Sequence, residues 1–455
     1  MSNPNDGVDY GPGHLGLIAP SYIRRAPTHR IQETIKITEE FKQALRLIEE
    51  SRESIFITGR AGTGKSTLLR HFIATSKRNV AIVAPTGIAA IHINGQTIHS
   101  FFQLPPRVIE PRDIKRFPPQ KRRLMKQLNT LVIDEISMVR ADVLDAIDAS
   151  LRLNRGQPHT PFGGVRMVFF GDLLQLPPVV HEDLRVYFAH VYETQYFYSA
   201  HAFKELRCRR MELTQNYRQG KDPQFFDLLS RIGRNQMTEA DLIALNGRLF
   251  AHGMQKDRGF ITLTATNAVA STINQERLEK LQGAPVEYEA VVTDDFDEGS
   301  FPTDRILRLK PGAQVILTRN DEYKQWVNGD IGQIERCFKD KVSVRIRGQL
   351  CEVRPVLWEK YQYGYNLKEK RIRQEAIGSF EQLPIRLAWA MTIHKSQGQT
   401  LKGVVVDIGN GAFAHGQVYV ALSRCESLEE LWLSRPLSRE DFIFDERVLA
   451  FEAHS

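Results

Sequence analysis

The sequence predicts an α/β protein with two α/β domains, the first carrying a small basic insertion and the second an inserted small β-barrel. Three observations support this. Short apolar runs such as "SIFITG", "NVAIVAP", "TLVIDE" and "RMVFFGD" alternate with helical segments, which is typical of parallel strands. The same alternation restarts after about Phe188, in "GFITLTATNAVASTIN" and "GVVVDIG". Between these two later runs lie short alternating strands with a turn at Asn328 and Gly329, typical of a β-meander or barrel.

The length and composition indicate a globular protein of more than one domain. The chain has 455 residues, of which 42% are hydrophobic and 25% charged, and about 150 residues per domain suggests two or three domains. The formal net charge of +7 attracts polyanions without identifying a specific partner. No run approaches the roughly 18 apolar residues of a membrane span, so we expect no membrane contact.

The cysteines and the N-terminus bear on the compartment. Cys208, Cys337, Cys351 and Cys425 are scattered and form no CxxC pair, which argues against a zinc site or a disulfide scaffold and fits a reducing compartment. The first 20 residues lack the basic region and apolar core of a secretion signal. We therefore expect a cytoplasmic protein with a flexible tail over residues 1–29.

The first domain begins with a predicted helix and continues with strands that end in polar residues. "ITEEFKQALRLIEES" has apolar residues at helical spacing, with Thr38 as a candidate N-cap. Ligands collect at the carboxyl ends of parallel strands, so the polar residues there are site candidates. A proline-rich, basic stretch at about 103–128 interrupts the pattern and predicts an inserted subdomain. The alternative is a solvated surface loop, the usual state of a charge run.

The strongest single motif is "GRAGTGKST", Gly59 to Thr67, between a predicted strand and a predicted helix. It fits G-x-x-x-x-G-K-[ST], in which backbone N–H groups and a helix N-terminus bind phosphates. Lys65 would reach the β- and γ-phosphates and Ser66 would bind Mg²⁺; a chance glycine-rich turn is the alternative. The predicted phosphate-binding residues are Gly62, Thr63, Gly64, Lys65, Ser66 and Thr67.

Two later strand ends supply further candidates. "TLVIDEIS" places Asp134 and Glu135 after an apolar strand, where one carboxylate can hold Mg²⁺ and its neighbour can polarise a water. "FFGDLLQLPPV" places Asp172 and Gln175 at the next strand end. The Gln175 amide would hydrogen-bond a γ-phosphate, or else cap a helix.

Two arginines stand in the half of the chain that lacks the phosphate-binding motif. Arg218 lies in "LTQNYRQG" and Arg424 in "VYVALSRC". An arginine brought to a γ-phosphate from a second domain contributes about 10³–10⁵ in rate, although each alone is more commonly a surface ion-pair partner. Together with the first domain they predict a cleft between two domains that closes on ATP.

The stretch "TIHKSQGQTL", Thr392 to Leu401, has an echo in "TIHSFF", Thr97 to Phe102. A lone histidine is usually a core or capping residue. The repetition instead indicates two equivalent elements, one per domain.

At this point the sequence resembles the Pif branch of superfamily-one DNA helicases. The matching blocks, in order, are "GRAGTGKST", "APTGIAAIHINGQTIHSFF", "VIDEISM", "GDLLQLPPV", "LTQNYRQ", "AMTIHKSQGQTL" and "GQVYVALSR". The resemblance implies two RecA-like domains, ATP-driven 5′-to-3′ movement on single-stranded DNA, and a Src-homology-like barrel. It places the first domain at 30–187, with the insertion at about 103–128, the second at 188–311 and 385–455, and the barrel at 312–384.

The resemblance also implies residue roles. The ATPase site would contain Lys65, Ser66, Asp134, Glu135, Gln175, Arg218 and Arg424, with Ser66 and Asp134 as Mg²⁺ ligands. The DNA-facing residues would be Pro85, Thr86, His99, Ser100, His394, Lys395 and Ser396. In one departure, Phe41 stands where the family often has an adenine-reading Gln, with Gln43 two residues on.

The cofactors expected from the resemblance are ATP and Mg²⁺, and the expected partners are single-stranded and forked DNA, with G-quadruplexes and RNA–DNA hybrids as further candidates. We expect a monomer that acts in DNA repair, replication, recombination or genome maintenance. A RecD-like helicase and a DNA-stimulated ATPase switch that does not unwind are the alternatives.

Overall fold

A computed structural model describes residues 38–180, 182–217, 222–250, 259–409 and 411–454. The elements below all lie in the unit that starts at Glu39. Within the described residues, no helix is long and apolar enough to cross a membrane.

The first part of the chain forms a parallel sheet whose strand order is β3-β2-β4-β5-β1-β6. Its strands are β1 (Ser54–Gly59), β2 (Val80–Ala84), β3 (Gln96–Thr97), β4 (Thr130–Ile133), β5 (Arg166–Phe170) and β6 (Cys208–Leu213). Strands β1, β4 and β5 are buried throughout, as expected for a sheet covered on both faces. The predicted α/β class is confirmed.

The helices of this part surround the sheet. They are α1 (Glu39–Glu50), α2 (Lys65–Thr75), α3 (Gly87–His92), α4 (Ile98–Phe102), α5 (Pro119–Gln127), α6 (Ala141–Arg155), α7 (Glu182–Val191) and α8 (His201–Glu205).

The predicted domain limit at residue 187 is too early. Strand β6 pairs with β1 along its whole length, so the first sheet continues to Leu213.

The basic insertion at about 103–128 contains helix α5 and is not a solvated loop. Leu124 and Met125 of α5 are buried in the core of the first sheet, and α5 packs on α6. The Lys121 ammonium lies 4.5 Å from the centre of the Phe117 ring, and burial lowers the pKa of Lys121 to about 8. The insertion therefore shares the core of the first domain.

The second parallel sheet is smaller, with strand order β18-β7-β19-β20. Its strands are β7 (Ile261–Thr264), β18 (Ala390–Thr392), β19 (Val404–Asp407) and β20 (Leu431–Leu433), and its helices are α9 (Pro223–Gly233), α10 (Glu239–Asn246), α11 (Asn267–Glu279) and α12 (Gln417–Leu422). A last helix, α13 (Glu446–His454), follows.

The β-rich insertion lies between β7 and β18 and is larger than the predicted range 312–384. Its strands are β8 (Val286–Glu289), β9 (Val291–Asp294), β10 (Ile306–Leu309), β11 (Gln314–Leu317), β12 (Ile331–Cys337), β13 (Val342–Ile346), β14 (Gln349–Val353), β15 (Val356–Asn366), β16 (Arg371–Gln382) and β17 (Ile385–Leu387). Strand β17 pairs with β11. On β10, Leu307 and Leu309 enter the same core as β11–β14, because alternate residues of a strand face one side.

Strands β15 and β16 form a long hairpin that extends back to the first sheet. The Tyr363 hydroxyl accepts a hydrogen bond from the N–H of Ile82 (3.0 Å), and it also lies 3.3 Å from the Ile82 carbonyl. The ring packs edge-on against Phe101, with 5.7 Å between ring centres. Strand β3 spans only two residues, so the Tyr363 side chain completes the hydrogen bonding of β2 where β3 does not reach.

Helix α13 also contacts the first domain, although residues 385–455 were predicted to belong to the second. Phe451 stacks on Tyr198, with 4.3 Å between ring centres. The carboxylate of Glu452 pairs with Arg210 of strand β6, and Val448 is buried in the first core. The predicted assignment is therefore wrong for α13, because its apolar face packs on the first domain.

We expect Tyr363→Phe to destabilise the protein by about 1–3 kcal/mol, because it leaves the buried N–H of Ile82 without its acceptor. Urea unfolding at neutral pH measures the change. The matched control is Tyr361→Phe on the same strand, which removes only a bond to Glu359 on an exposed part of the hairpin and should cost less than about 0.5 kcal/mol. Equal losses for the two variants would contradict a specific role for the Tyr363 hydroxyl.

Candidate functional site

A cavity of about 420 Å³ lies between the two parallel sheets. Its walls come from the loop after β1, the ends of β4 and β5, the segment after β6, and two loops of the second domain. The lining residues are Ala61, Gly62, Thr63, Gly64, Lys65, Ser66, Thr67, Arg70, Glu135, Gln175, Tyr217, Gly398, Thr400, Arg424 and Glu426. All six predicted phosphate-binding residues are among them.

The loop between β1 and α2 has the conformation that a phosphate-binding loop needs. Gly64 lies just before α2 with φ of 86°, a left-handed backbone conformation that favours glycine, and the ring of Tyr217 lies beside it. The Thr63 hydroxyl donates to the Arg60 carbonyl (2.9 Å). The Lys65 ammonium donates to the carbonyls of Gly59 and Arg60, which holds it at the base of the loop.

The two carboxylates after β4 adjoin this loop. Burial raises the pKa of Asp134 to about 7, and the neighbouring Glu135 carboxylate adds to the shift while Lys65 opposes it. Burial likewise raises the pKa of Glu135. Of the pair, Glu135 lines the cavity. A cation close to both groups would favour their ionised forms.

Gln175 lies where the two domains meet. Its amide nitrogen donates to the Asp172 carboxylate (2.7 Å), and its carbonyl oxygen accepts a bond from Gln397 of the second domain (3.1 Å). The side chain is therefore held by both domains at the wall of the cavity. Neither contact is that of a helix cap, the alternative role considered for Gln175.

Arg424 reaches the same cavity from the second domain, and its side chain is almost fully buried (1% exposed). Its guanidinium donates to the carbonyls of Val420 (2.8 Å), Ser396 (3.1 Å) and Gln399 (3.3 Å). Burial lowers its pKa to about 10, so the group remains charged at neutral pH. The other predicted arginine, Arg218, lies outside the described residues.

Sequence reasoning missed two residues next to Arg218. The N–H of Tyr217 donates to the Gly62 carbonyl (2.9 Å), and the Asn216 amide donates to the Ala61 carbonyl (2.8 Å). Both bonds fix the phosphate-binding loop, and the Tyr217 ring lines the cavity. The motif "LTQNYRQ" contains both residues, so the signal was present.

Phe41 does not take the place of an adenine-reading side chain. It is buried between α1 and α2 and packs edge-on against His71, with 5.9 Å between ring centres. Its neighbour Glu40 instead accepts bonds from the N–H and hydroxyl of Thr214, both 2.8 Å. Helix α1 thus positions the segment that carries Tyr217.

The residues present suit Mg²⁺ bound together with a nucleotide. Among the described residues, no group of three or more His, Cys, Asp or Glu side chains could hold a metal ion alone. Mg²⁺ usually takes one or two carboxylates together with substrate phosphates. A serine hydroxyl and a carboxylate are hard oxygen ligands, so the donor set of Ser66 and Asp134 fits.

The repeated Thr-Ile-His stretches have the same local structure. The Thr97 hydroxyl oxygen accepts a bond from the N–H of Ser100, and the Thr392 hydroxyl oxygen accepts one from the N–H of Lys395, both 3.3 Å. Each threonine therefore closes a four-residue turn, which in the first stretch is the start of helix α4, and the histidine is the third residue of each turn.

The two turns also occupy equivalent places in their sheets. Thr97 pairs with Ala84 of β2, and Thr392 pairs with Thr264 of β7. Both pairs are parallel, and in each sheet the strand that ends at this threonine lies next to a strand that is followed by a helix, α3 or α11. The echo in the sequence therefore records the same position in two similar sheets.

A second matched pair follows strands β2 and β7. Thr86 caps α3 by accepting a bond from the N–H of Ala89 (3.2 Å), and Thr266 caps α11 by accepting one from the N–H of Val269 (3.4 Å). Both threonines are exposed. Sequence reasoning selected Thr86, preceded by half-buried Pro85, but missed Thr266, although "TATN" follows its strand as "APTG" follows β2.

The histidines of the two turns are alike as well. Ile98 and Ile393 before them are fully buried, whereas His99 and His394 are half-buried. Burial lowers the pKa of both histidines, so both rings are neutral at pH 7. Isoleucine anchors each turn and histidine lies at its surface.

The remaining predicted DNA-facing residues differ from one another. Lys395 is exposed, and the Ser100 hydroxyl accepts a bond from Gln96 (2.8 Å). The prediction that the Ser396 side chain faces DNA is wrong. This side chain is fully buried (0% exposed), and its hydroxyl donates to the Ile393 carbonyl (2.8 Å). The Ser396 carbonyl, and not its hydroxyl, contacts Arg424.

His415 connects the loop after β5 to the C-terminal part of the chain. Its Nδ1 accepts a bond from the N–H of Asp445 (2.9 Å), so Nε2 carries the proton and donates to the Leu173 carbonyl (3.1 Å). Burial lowers the pKa of His415, which favours this neutral form. Leu173 lies two residues before Gln175, so the bond helps to position the cavity wall.

The chain matches known helicases along most of its length. A family model described as PIF1-like helicase matches residues 36–241. The ATP-dependent DNA helicase PIF1 of Rattus norvegicus is 34% identical over 92% of this chain and 64% of its own length. The ATP-dependent DNA helicase Pif1 of Bdellovibrio bacteriovorus is 32% identical over 93% of this chain and 92% of its own length.

Solved structures are also similar. Bacteroides sp. Pif1 in complex with ADP-AlF4 superposes with a TM-score of 0.86 at 36% identity, over 92% of this chain and 96% of that protein. Bacteroides Pif1 bound to ssDNA gives 0.66 at 37% identity over the same shares. The predicted RecA-like fold class is confirmed.

This chain spans 64% of the length of the rat and Xenopus laevis relatives but nearly all of the bacterial one. The order of its motifs, the cavity that they form and the similarity over the whole bacterial protein agree with one another. The chain belongs to the PIF1-like helicase family.

Proposed function

We propose that this protein is an ATP-dependent 5′-to-3′ DNA helicase that moves along single-stranded DNA and separates duplexes. Its relatives in rat and Bdellovibrio are ATP-dependent DNA helicases, and Bacteroides Pif1 binds ssDNA. The polarity rests on the resemblance to the Pif branch. The function would serve DNA repair, replication or recombination in a DNA-containing compartment.

ATP would bind in the cavity between the sheets. The backbone N–H groups of residues 62–66 and the N-terminus of α2 face the phosphates, and Lys65 leaves its carbonyl partners to reach them. Glu135 accepts a hydrogen bond from the attacking water and orients it, while Arg424 and Gln175 contact the γ-phosphate. Mg²⁺, held by Ser66 and Asp134, would neutralise charge on the phosphates.

One observation carries the proposal: the turn at 392–399 belongs to both candidate sites. Its first half presents His394 and Lys395, and its second half binds Arg424 through the carbonyls of Ser396 and Gln399. A displacement of Arg424 on hydrolysis therefore acts on the DNA-facing residues within a few bonds. A motor needs such a connection, whereas a simple ATPase does not.

DNA would contact the two helix caps, Thr86 and Thr266, and the two turns that contain His99 and His394. Exposed Thr86 and Thr266 lie at equivalent strand ends, as do the turns of His99 and His394. Hydroxyls, backbone N–H groups and Lys395 contact phosphates, which carry no sequence information. Two equivalent grips, one per domain, allow the domains to advance alternately along one strand.

An unwinding assay tests polarity and motor activity together. With ATP, a duplex with a 5′ single-stranded tail should be separated and one with a 3′ tail should not. The protein's ATPase should be stimulated by single strands. Stimulation without strand separation would favour the alternative of a DNA-bound switch, and opening of the 3′-tailed duplex alone would contradict the polarity. G-quadruplex and RNA–DNA substrates extend the same test, and sedimentation tests the proposed monomer.

Lys65→Ala should lower kcat for ATP hydrolysis by about 10²–10³-fold, because one preorganised cation at the phosphates is lost. Binding to single strands, measured by fluorescence anisotropy without nucleotide, should remain within about twofold because Lys65 lies in the other site. The control is Lys42→Ala, which removes an exposed lysine paired with Glu39 on α1. Residual turnover near the wild-type value would contradict the assignment of the loop.

Arg424→Ala should lower kcat by about 10³-fold or more, while KM for ATP changes far less, because the guanidinium acts mainly on charge that develops in the transition state. Steady-state kinetics with saturating single strands measures both constants. Arg435→Ala serves as the control, because this arginine of the second domain pairs with Asp441. Equal losses in kcat and in affinity for ATP would contradict the assigned role.

A further inference from the structure

Two nearly parallel aromatic rings lie beside the candidate DNA site. The rings of His394 and Phe413 are nearly parallel, with an interplanar angle of 13° and 6.5 Å between their centres. Neighbouring bases in a strand stack about 3.4 Å apart, so a base between two rings needs about twice that distance. The separation of the two rings is close to this value.

Both rings border a large cavity between the domains. The cavity has a volume of about 770 Å³, and its walls also include Pro177, Pro178 and Val179 of the first domain. His394 directly precedes Lys395 in the proposed DNA-facing turn. The ring pair and the path proposed for the phosphates therefore share this turn.

Local contacts hold the backbone that carries each ring. His394 is held by the Thr392 cap and by the buried Ile393. On the other side, the N–H of Phe413 donates to the side-chain carbonyl of Gln417 (3.0 Å) at the start of α12. His415, two residues after Phe413, is tied to Leu173 and Asp445. Backbone that is already ordered loses little conformational entropy when a ligand binds.

The exposure of Phe413 calls for a ligand. Its side chain is 57% exposed, although a phenylalanine buries a large apolar surface when it can. Val179, which lines the same cavity, is also exposed, as is Ile443. Contiguous exposed apolar residues between polar ones mark binding sites. Here the flat, parallel faces select a planar aromatic ligand over an aliphatic side chain.

We infer that His394 and Phe413 hold one unpaired base of the tracked strand between them. The inference rests on the proposed function, because His394 belongs to the DNA-facing turn. Every base has a face that can stack, so this contact tolerates any sequence. A base inside a duplex already has neighbours on both faces, so the slot accepts single strands and excludes paired ones.

Abasic DNA tests the inference directly. Affinities are measured by fluorescence anisotropy, without nucleotide, for oligo-dT and for an oligonucleotide of equal length whose sites are all abasic. The wild-type protein should bind oligo-dT more tightly. Phe413→Ala should weaken binding to oligo-dT by about tenfold, yet change binding to abasic DNA by less than about twofold. Phe413→Ala and the removal of the base then abolish the same contact, the stacking of a base on the Phe413 ring.

Two matched variants complete the design. Phe413→Trp keeps a ring and should retain the preference for oligo-dT. Phe338→Ala removes another partly exposed phenylalanine, on the turn between β12 and β13, and should leave both affinities unchanged. The slope of log affinity against log salt should be the same for wild type and Phe413→Ala, because phosphate contacts set that slope.

The inference is overturned if Phe413→Ala weakens binding to intact and abasic DNA equally, or weakens neither. Thermal melting of Phe413→Ala checks that the variant is folded, and Phe413→Trp decides the outcome if it is not: loss of the oligo-dT preference despite a retained ring would also overturn the slot. Failure of the proposed function has a different signature. A wild-type protein that prefers oligo-dT but separates no duplex would support the base-binding slot and contradict the proposed helicase function.

Discussion

The buried charge of Arg424 is the constraint on which the two candidate sites depend. An unpaired charge inside a protein costs several kcal/mol, and here three backbone carbonyls, those of Val420, Ser396 and Gln399, surround the guanidinium. These carbonyls can all accept hydrogen bonds from the guanidinium only if the turn at 392–399 and helix α12 keep one relative arrangement. The same turn presents His394. A single charge therefore fixes the distance between the wall of the candidate nucleotide site and the turn proposed to contact DNA.

Much of this site could be predicted because its signals are local. A glycine-rich loop between a strand and a helix, and carboxylates after an apolar strand, depend on neighbours in the sequence. The repeated Thr-Ile-His was informative for the same reason. Threonine closes the turn through the N–H three residues later, isoleucine anchors it, and histidine is left at the surface. The repetition reflects equivalent positions in two sheets, because Thr97 pairs with Ala84 of β2 and Thr392 pairs with Thr264 of β7.

The features that sequence reasoning missed depend on partners far along the chain. Nothing near Tyr363 indicates that its hydroxyl will complete strand β2, about 280 residues earlier. Strand β6 has few fully buried residues, so its pairing with β1 was not evident and the domain limit was placed too early. Ser396 shows the reverse error. Its neighbours suggested a DNA contact, but its side chain is buried and its carbonyl serves Arg424.

The contacts that join the two domains are both polar and apolar. Beside the cavity, Gln397 donates to Gln175 and His415 donates to Leu173, each bond contributing about 1 kcal/mol net, and the side chains of Leu174 and Leu176 are buried in the core of the second sheet. Farther away, Tyr363 and Phe451 insert aromatic rings into the first core, and burying such rings contributes several times more. The loop after β5 therefore joins the domains through buried side chains next to Gln175, and the hairpin and helix α13 join them through aromatic rings in the first core.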